Sequence, residues 1–343
     1  MKRSKHDAKN WGNERVRGVF GAAPVPYFAD GQVDEQGFRS NLRYWRDTLG
    51  IKGQWVAGFQ SEQLGISTAQ RKQLFEITQS ESTPDHIAIC AIMDDVIEDA
   101  LELAIFADEM GADCIGLSAP RIFTGMLGAD PSEDTVFRYF EYICDRVEIP
   151  VILLNQKAMQ GYNMSPALLN RLADLPNVVA LKNVVDGLYG GGNEDGSHYR
   201  ETVRLCGEKI VVSDPDEDVF FRNYTQNGQR AFLSSGAPMI YQTAAWQPMN
   251  EYTRLADLGR LEEAAKVNLS LNPVREAFHC SMVHLGRYKF TPLSKYWFEL
   301  QGLVGGLSVY PQDELTEEDK AYVREQFERS GIASMTNEKA LAA

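Results

Sequence analysis

No stretch of the 343 residues approaches the roughly 20 consecutive apolar residues of a membrane span. Met1 to Arg17 is polar and charged and has no apolar core of the kind a secretory signal needs, so it reads as a surface arm or frayed terminus rather than a leader. Basic residues are in deficit. The net charge of −14 and pI near 4.9 argue against nucleic acid or an anionic membrane as a main partner. Cysteine is sparse: Cys90, Cys114, Cys144, Cys206 and Cys280 are odd in number and widely scattered. No pair has zinc-ligand or redox-motif spacing, and a reducing cytoplasm is the simplest setting. Nucleotide fingerprints are missing as well. Gly190-Gly191-Gly192 is not a phosphate loop, because no helix begins right after it and no Lys-Ser/Thr pair follows. His279, Cys280 and His284 lie near one another late in the chain and read as packing or surface residues, not as a metal site.

Hydrophobic residues make up 44% of the chain, enough for one large core with a C-terminal extension. Strand and helix signals alternate from Val16 onward. Apolar strand-like runs lie at residues 16–25, 54–58, 86–93, 113–118, 149–154, 177–182, 209–213 and 231–234, with amphipathic helical stretches between them. Asp34, Ser67 and Ser165-Pro166 read as helix starts. Eight strand-then-helix units in a row predict a (β/α)8 TIM barrel rather than an open sheet. The expected layout is an N-terminal arm (1–16), the barrel (17–258), a C-terminal helical extension packed beside it (259–332) and a loose tail (333–343). The extension reads as helices over 261–271, 273–300 and 316–330. Residues 186–197, rich in glycine, read either as a flexible surface insertion or as a lid over the barrel mouth.

The most informative stretch is Asn177-Val178-Val179-Ala180-Leu181-Lys182-Asn183. Four consecutive apolar residues suit a strand buried on both faces. Chemistry in such a barrel sits at the C-terminal ends of the strands, where Lys182 falls. A partly desolvated amine there is biased toward its neutral form, which attacks a ketone to give a Schiff base. The same lysine also fits a plain strand end whose head reaches water. The other strand ends supply Gly58 to Glu62, Ala119 to Phe123, Leu154 to Lys157, Ser213 to Glu217 and Ser234-Ser235-Gly236.

Taken in order, Pro26 to Asp34, Gly58 to Glu62, Pro150 to Asn155 and Pro176 to Lys182 resemble the dihydrodipicolinate synthase / N-acetylneuraminate lyase family of Schiff-base aldolases and dehydratases. The resemblance runs from about Val16 to Ile332. It implies that Lys182 condenses with a 2-oxo acid, that no cofactor or metal is needed, and that the protein is a homodimer or homotetramer. The departures are informative. Leu154 stands where most of the family keeps a catalytic tyrosine, Phe59 replaces a hydroxyl, and Ile122 aligns with a second relay tyrosine. Met159 replaces the arginine that the synthase uses for its second substrate, which argues against dihydrodipicolinate synthesis.

With the tyrosine gone, the proton relay is open among a water held by Asn155, Gln60 or Ser235, and Lys157, Tyr162 or Tyr27. Phe59, Ile122, Phe123 and Leu154 either make a greasy pocket or only fill the barrel. Residues 231–237 are similar to the eighth strand of the hydratase-aldolase subgroup, which cleaves arylidene-pyruvates, and Leu293 to Tyr296 fits it loosely. Arg121 is a candidate for a substrate carboxylate or a structural ion pair. The backbone near Gln60 and Ser61 is a second carboxylate candidate. Glu62 reads as a partner of loop amides. Asp216 and Glu217 take places that bind hydroxyls in sugar-acid lyases of the family, or are first-turn helix acids. The leading expectation is a lyase acting on a 2-oxo acid with an apolar or aromatic part, with Lys182 catalytic, Gln60, Ser61, Arg121, Asn155 and Ser235 binding substrate, and Phe59, Ile122 and Leu154 lining the pocket. Two alternatives stand beside it: a dehydratase or lyase of a deoxy sugar acid, and a 2-oxo-acid-binding barrel with reduced turnover.

Overall fold

Eight parallel strands form one sheet in the order β7-β6-β5-β4-β3-β2-β1-β8. The structure, a computed structural model, describes residues 4–121, 130–185 and 196–335. The strands are β1 (Gly18–Ala22), β2 (Gly53–Val56), β3 (Ile87–Ile92), β4 (Cys114–Ser118), β5 (Val151–Gln156), β6 (Val178–Val184), β7 (Val211–Ser213) and β8 (Ala231–Ser235). Pairing of β1 with β8 curls the sheet into a barrel. The remaining seam, between β7 and β8, is stitched by a side chain. Ser213 Oγ accepts from Leu233 N at 2.9 Å and from Gln229 Nε2 at 3.1 Å. The predicted (β/α)8 architecture is the one observed.

Side-chain alternation divides the apolar residues into two cores. Ile87, Ile89, Ala91 and Met93 of the third strand and its end fill the barrel interior with Ile152, Leu154 and Val184, while Cys90, Ile92, Leu153 and Leu181 pack outward against the helices. Trp55 of β2 belongs to the inner set. Its ring lies where a Cβ on Gly116 of β4 would sit, 2.2 Å from Trp55 Cη2. Only a residue without a side chain admits an indole across the barrel.

The predicted helix starts are present. Asp34 and Ser165 accept from Gly37 N and Leu168 N, and Ser67 forms a capping box with Gln70. Three features differ from expectation. Residues 4–15 are ordered rather than a loose arm: Ala8–Arg15 is a helix whose Ala8 and Trp11 pack on the inner core. Lys9 Nζ anchors it to the backbone oxygens of Ala173 and Val178, each at 2.5 Å. Strand β6 runs two residues past Lys182. The long helix expected over 273–300 is two helices, Asn272–Leu285 and Phe290–Leu300, broken at Gly286, whose φ of 82° is open to glycine. The tail beyond Met335 lies outside the described residues.

The Trp55–Gly116 contact is testable by thermal unfolding. Gly116→Ala is expected to destabilise the protein by about 1–3 kcal/mol through overpacking, and less in a Trp55→Leu background, where the two changes couple.

Candidate active site

Lys182 takes an inward place on β6, between Leu154 of β5 and Ser213 of β7 in register. Its Nζ donates to the backbone oxygen of Ser234 at 2.6 Å and lies 4.8 Å from the centre of the Trp55 ring. No carboxylate among the described residues pairs with it. Burial therefore dominates, pulling the amine down from 10.5 to about 7. Lysine at such a value is substantially neutral near physiological pH, as a nucleophilic amine requires.

The amine faces a cavity of about 730 Å³ at the C-terminal ends of the strands. Trp55, Met93, Leu154, Met159 and Val184 make its wall apolar on the barrel side. The extension supplies the roof, with Phe278, Met282 and Phe290 from the two helices and Arg275 and His279 at the more polar end. The extension thus covers the mouth instead of lying beside the barrel. His279, expected to be a packing or surface residue, borders the cavity while staying exposed. Among the described residues no group of three or more potential metal ligands occurs.

The structure brings together Lys182, Gln60, Ser235, Phe59 and Leu154 on the cavity wall. Three residues expected to bind substrate are placed otherwise. Arg121 is spent on Asp95, with Nε at 2.9 Å and Nη2 at 2.7 Å from the same carboxylate oxygen, and does not border the cavity. The Ser61 amide donates to Gly58 O at 3.0 Å, and its hydroxyl donates to Ala23 O at 2.7 Å while accepting from Ala57 N. Asn155 is fully buried behind the wall: its amide donates to Asn183 Oδ1 at 2.8 Å, and its oxygen accepts from Gln160 Nε2 and Met164 N. It fixes the ends of β5 and β6 rather than touching a ligand. Ile122 and Phe123, and the 186–195 part of the glycine-rich segment, lie outside the described residues.

The proposed relay groups also sort themselves. Tyr27 donates to Ser61 O at 2.8 Å, Tyr162 is buried away from the cavity, and Lys157 is exposed and does not border it. Asp216 and Glu217 do line the cavity, yet both are engaged. Asp216 caps its helix through Asp218 N. Glu217 accepts two bonds from Arg275, each 2.6 Å, and burial nevertheless pushes its carboxyl up, to about 7.

Sequence reasoning missed Trp55, Arg275 and Lys295. Lys295 Nζ meets Glu62 Oε1 at 2.5 Å and Leu307 O at 2.6 Å, while Glu62 Oε2 accepts from Val309 N. This pair, with side chains 2% and 10% exposed, ties the turn that carries Phe59 and Gln60 to the extension. The only hint in the sequence was a lysine inside an apolar helix, Thr291 to Phe298.

A parallel eight-stranded barrel with its cavity at the C-terminal ends of the strands has the enzyme-type site of the (β/α)8 class. The chain belongs to the dihydrodipicolinate synthetase family, whose family model matches residues 15–328. The 4-hydroxy-tetrahydrodipicolinate synthase of Pelobacter propionicus is 27% identical over 258 residues, 74% of this chain and 81% of that protein. The N-acetylneuraminate lyase of Actinobacillus pleuropneumoniae is 26% identical over 177 residues, 51% of this chain and 58% of the lyase. In fold, the chain superimposes on YagE, a prophage protein of the same family from E. coli K12 solved with pyruvate, at a TM-score of 0.77 and 21% identity, covering 92% of this chain and 98% of that one.

Two stability measurements follow from this geometry. Lys295→Met leaves Glu62 buried without its cation and is expected to cost about 3–5 kcal/mol in urea unfolding, part of it recovered by adding Glu62→Gln. Lys182→Met is expected to stabilise the protein by ~2–4 kcal/mol at pH 7. The unfolded lysine binds its proton below 10.5, the folded one only below about 7. The penalty removed by the substitution is therefore complete below pH 7 and fades as pH rises toward 10.5.

Proposed function

We propose that the protein is a cofactor-independent lyase in which Lys182 forms a Schiff base with a 2-oxo acid, and that the substrate carries an apolar or aromatic part. The observation that carries this reading is the uncompensated amine of Lys182, held at the mouth of the barrel with its pKa lowered to about 7 by burial. Condensation turns the keto carbon into an iminium, an electron sink that makes the adjacent carbon acidic or its bond cleavable. Membership of the dihydrodipicolinate synthetase family supports the reaction type. Phe59, Leu154 and Met159 on the wall, with Phe278 and Phe290 above, support an apolar substituent.

A deoxy sugar acid would draw on Asp216 and Glu217, which do border the cavity. Their oxygens are already committed to the helix N-terminus and to Arg275, so a hydroxylated chain would have to compete for them. This favours the apolar substrate. Met159 at the cavity wall in place of a guanidinium disfavours dihydrodipicolinate synthesis.

Incubation with pyruvate and borohydride, followed by peptide mass spectrometry, is expected to give a reduced adduct on Lys182 and none in Lys182→Met. The initial rate of trapping should rise with pH through about 7, as the ammonium loses its proton, and level off about one to two units higher. Turnover assays should then show cleavage of arylidene-pyruvates in preference to deoxy sugar acids. An unmodified Lys182 overturns the Schiff-base reading, the reverse preference overturns the apolar substrate, and an adduct with no turnover of any substrate identifies a binding barrel.

A further inference from the structure

Four aromatic rings border the cavity in an unbroken row. Phe59, in the turn after β2, meets Phe290 at 6.2 Å between centroids and 33° between planes. Phe290 meets Phe278 edge to face at 6.0 Å and 85°, and Phe278 meets Tyr241, after β8, at 6.2 Å and 79°. Aromatic pairs prefer separations of this size. The row is anchored in the core, where Phe278 stands edge-on to Trp297 at 5.2 Å and Trp297 Nε1 donates to Ile240 O at 3.1 Å. It ends at Phe59, which is 45% exposed. A lone exposed apolar residue is ordinary on a protein surface. Phe59, however, is held where it is. Ala57 and Glu62, on either side of its turn, have φ of 55° and 58°, which non-glycine residues keep only where the surroundings impose it. Glu62 is bound by Lys295 Nζ at 2.5 Å and by Val309 N at 2.7 Å, and the Tyr27 hydroxyl donates to Ser61 O at 2.8 Å. Lys295 lies on the helix Phe290–Leu300, so one rigid element carries Phe290 and, through Glu62, fixes Phe59.

We propose that Phe59 and Phe290 are an aryl-recognition pair, on which a flat ring of the substrate extends the row, and that the Lys295–Glu62 ion pair holds the two rings in place. The inference rests on the Schiff-base reading above and narrows its apolar substituent to an aromatic one. A saturated ring of the same carbon skeleton is also apolar, and its transfer from water is favourable for the same reason. It lacks the negative face and positive edge through which aromatic rings attract one another beyond the area they bury. Neither phenylalanine side chain offers a hydrogen bond, so the pair selects by ring character and shape. Phe59 and Phe290 determine specificity by touching the substrate. Lys295 and Glu62 are positioning residues, because they act only through those two rings.

The test compares 2-oxo-4-phenylbutanoate with 2-oxo-4-cyclohexylbutanoate, which differ only in the unsaturation of the ring. Borohydride-trapped adduct is measured by mass spectrometry against concentration, with pyruvate as the reference compound. Wild type is expected to half-saturate at about 3–10-fold lower concentration of the phenyl compound. Phe59→Leu and Phe290→Leu, which keep an apolar side chain and remove the ring, should each bring the two compounds within about twofold of one another. The Glu62→Gln/Lys295→Met double variant, which removes both charges together, should lose the preference as well. That loss, measured on protein that circular dichroism shows to be folded, is not expected of a pair that only stabilises the fold. If the double variant does not fold, Glu62→Gln alone takes its place. Equal half-saturation in wild type overturns the proposal, as does a preference that survives both leucine variants. A preference kept by the folded ion-pair variant overturns the positioning role of Lys295 and Glu62. No adduct with pyruvate in wild type overturns the underlying Schiff-base reading instead.

Discussion

An ammonium group inside a wall of apolar side chains loses the water that would solvate it, and the region around Lys182 is shaped by that loss. From Ala180 to Val184 the strand alternates, with Ala180 and Val184 in the inner core and Leu181 in the outer one, so a one-residue slip there would turn Lys182 off the inward face. Among the described residues no acid is paired with the amine. What the amine receives is one carbonyl, that of Ser234, and the face of Trp55. These do not replace the water that a full charge would have, so burial shifts the amine toward its neutral form. The strand end that holds the group is fixed from behind by the Asn155–Asn183 bond.

The C-terminal extension completes this arrangement. Two buried ion pairs join it to the barrel mouth, Arg275 to Glu217 after β7 and Lys295 to Glu62 after β2. Burying such pairs is rarely a net gain in stability over apolar contacts, and their better attested effect is to fix one geometry. The geometry fixed by Lys295 is unusual. Ala57 and Glu62, which flank the Gly58–Ser61 turn, both have left-handed backbones, with φ of 55° and 58°. Non-glycine residues hold that conformation only where the surroundings insist on it. Here Glu62 is bound on both oxygens, to Lys295 and to Val309 N. The turn presents Phe59 to the cavity, where its ring meets that of Phe290 at 6.2 Å between centroids.

Much of this was legible in the chain itself. The barrel strands are apolar runs, and the lysine that ends one of them fits either a nucleophile or a plain strand end until the motifs at the other strand ends are read with it. Leu154 and Phe59 were legible as departures from a family pattern. What the sequence concealed depends on contacts between distant elements. Arg121 looks free until Asp95, 26 residues earlier, closes on it. Ser61 and Asn155 carry the right chemistry at the right strand ends but point into backbone networks. The indole of Trp55 is admitted by Gly116, two strands away. Residues 273–300 read as one helix with broken patterning, and the break at Gly286 divides it into two. The roof of the cavity, and His279 with it, was therefore assigned to an appendage.

The apolar replacements and the lowered amine pKa are best understood as one property. A tyrosine at position 154 would set a hydroxyl beside Lys182 in register, and a hydroxyl at position 59 would add another dipole to the same mouth. Each would stabilise the ammonium by hydrogen bonding or polarity, raising the pKa toward its ordinary value and leaving less free amine at neutral pH. On the Schiff-base reading proposed above, their absence leaves the amine more available and withdraws hydroxyls that could move protons once it attacks. Both consequences come from the same loss of polarity and cannot be separated by adjusting one residue. If Lys182 is the nucleophile proposed above, such a site suits a substrate whose bulk is apolar, because that substrate keeps the amine dry while bound. Sugar hydroxyls would carry polarity back to the amine and raise its pKa at the moment its lone pair is needed.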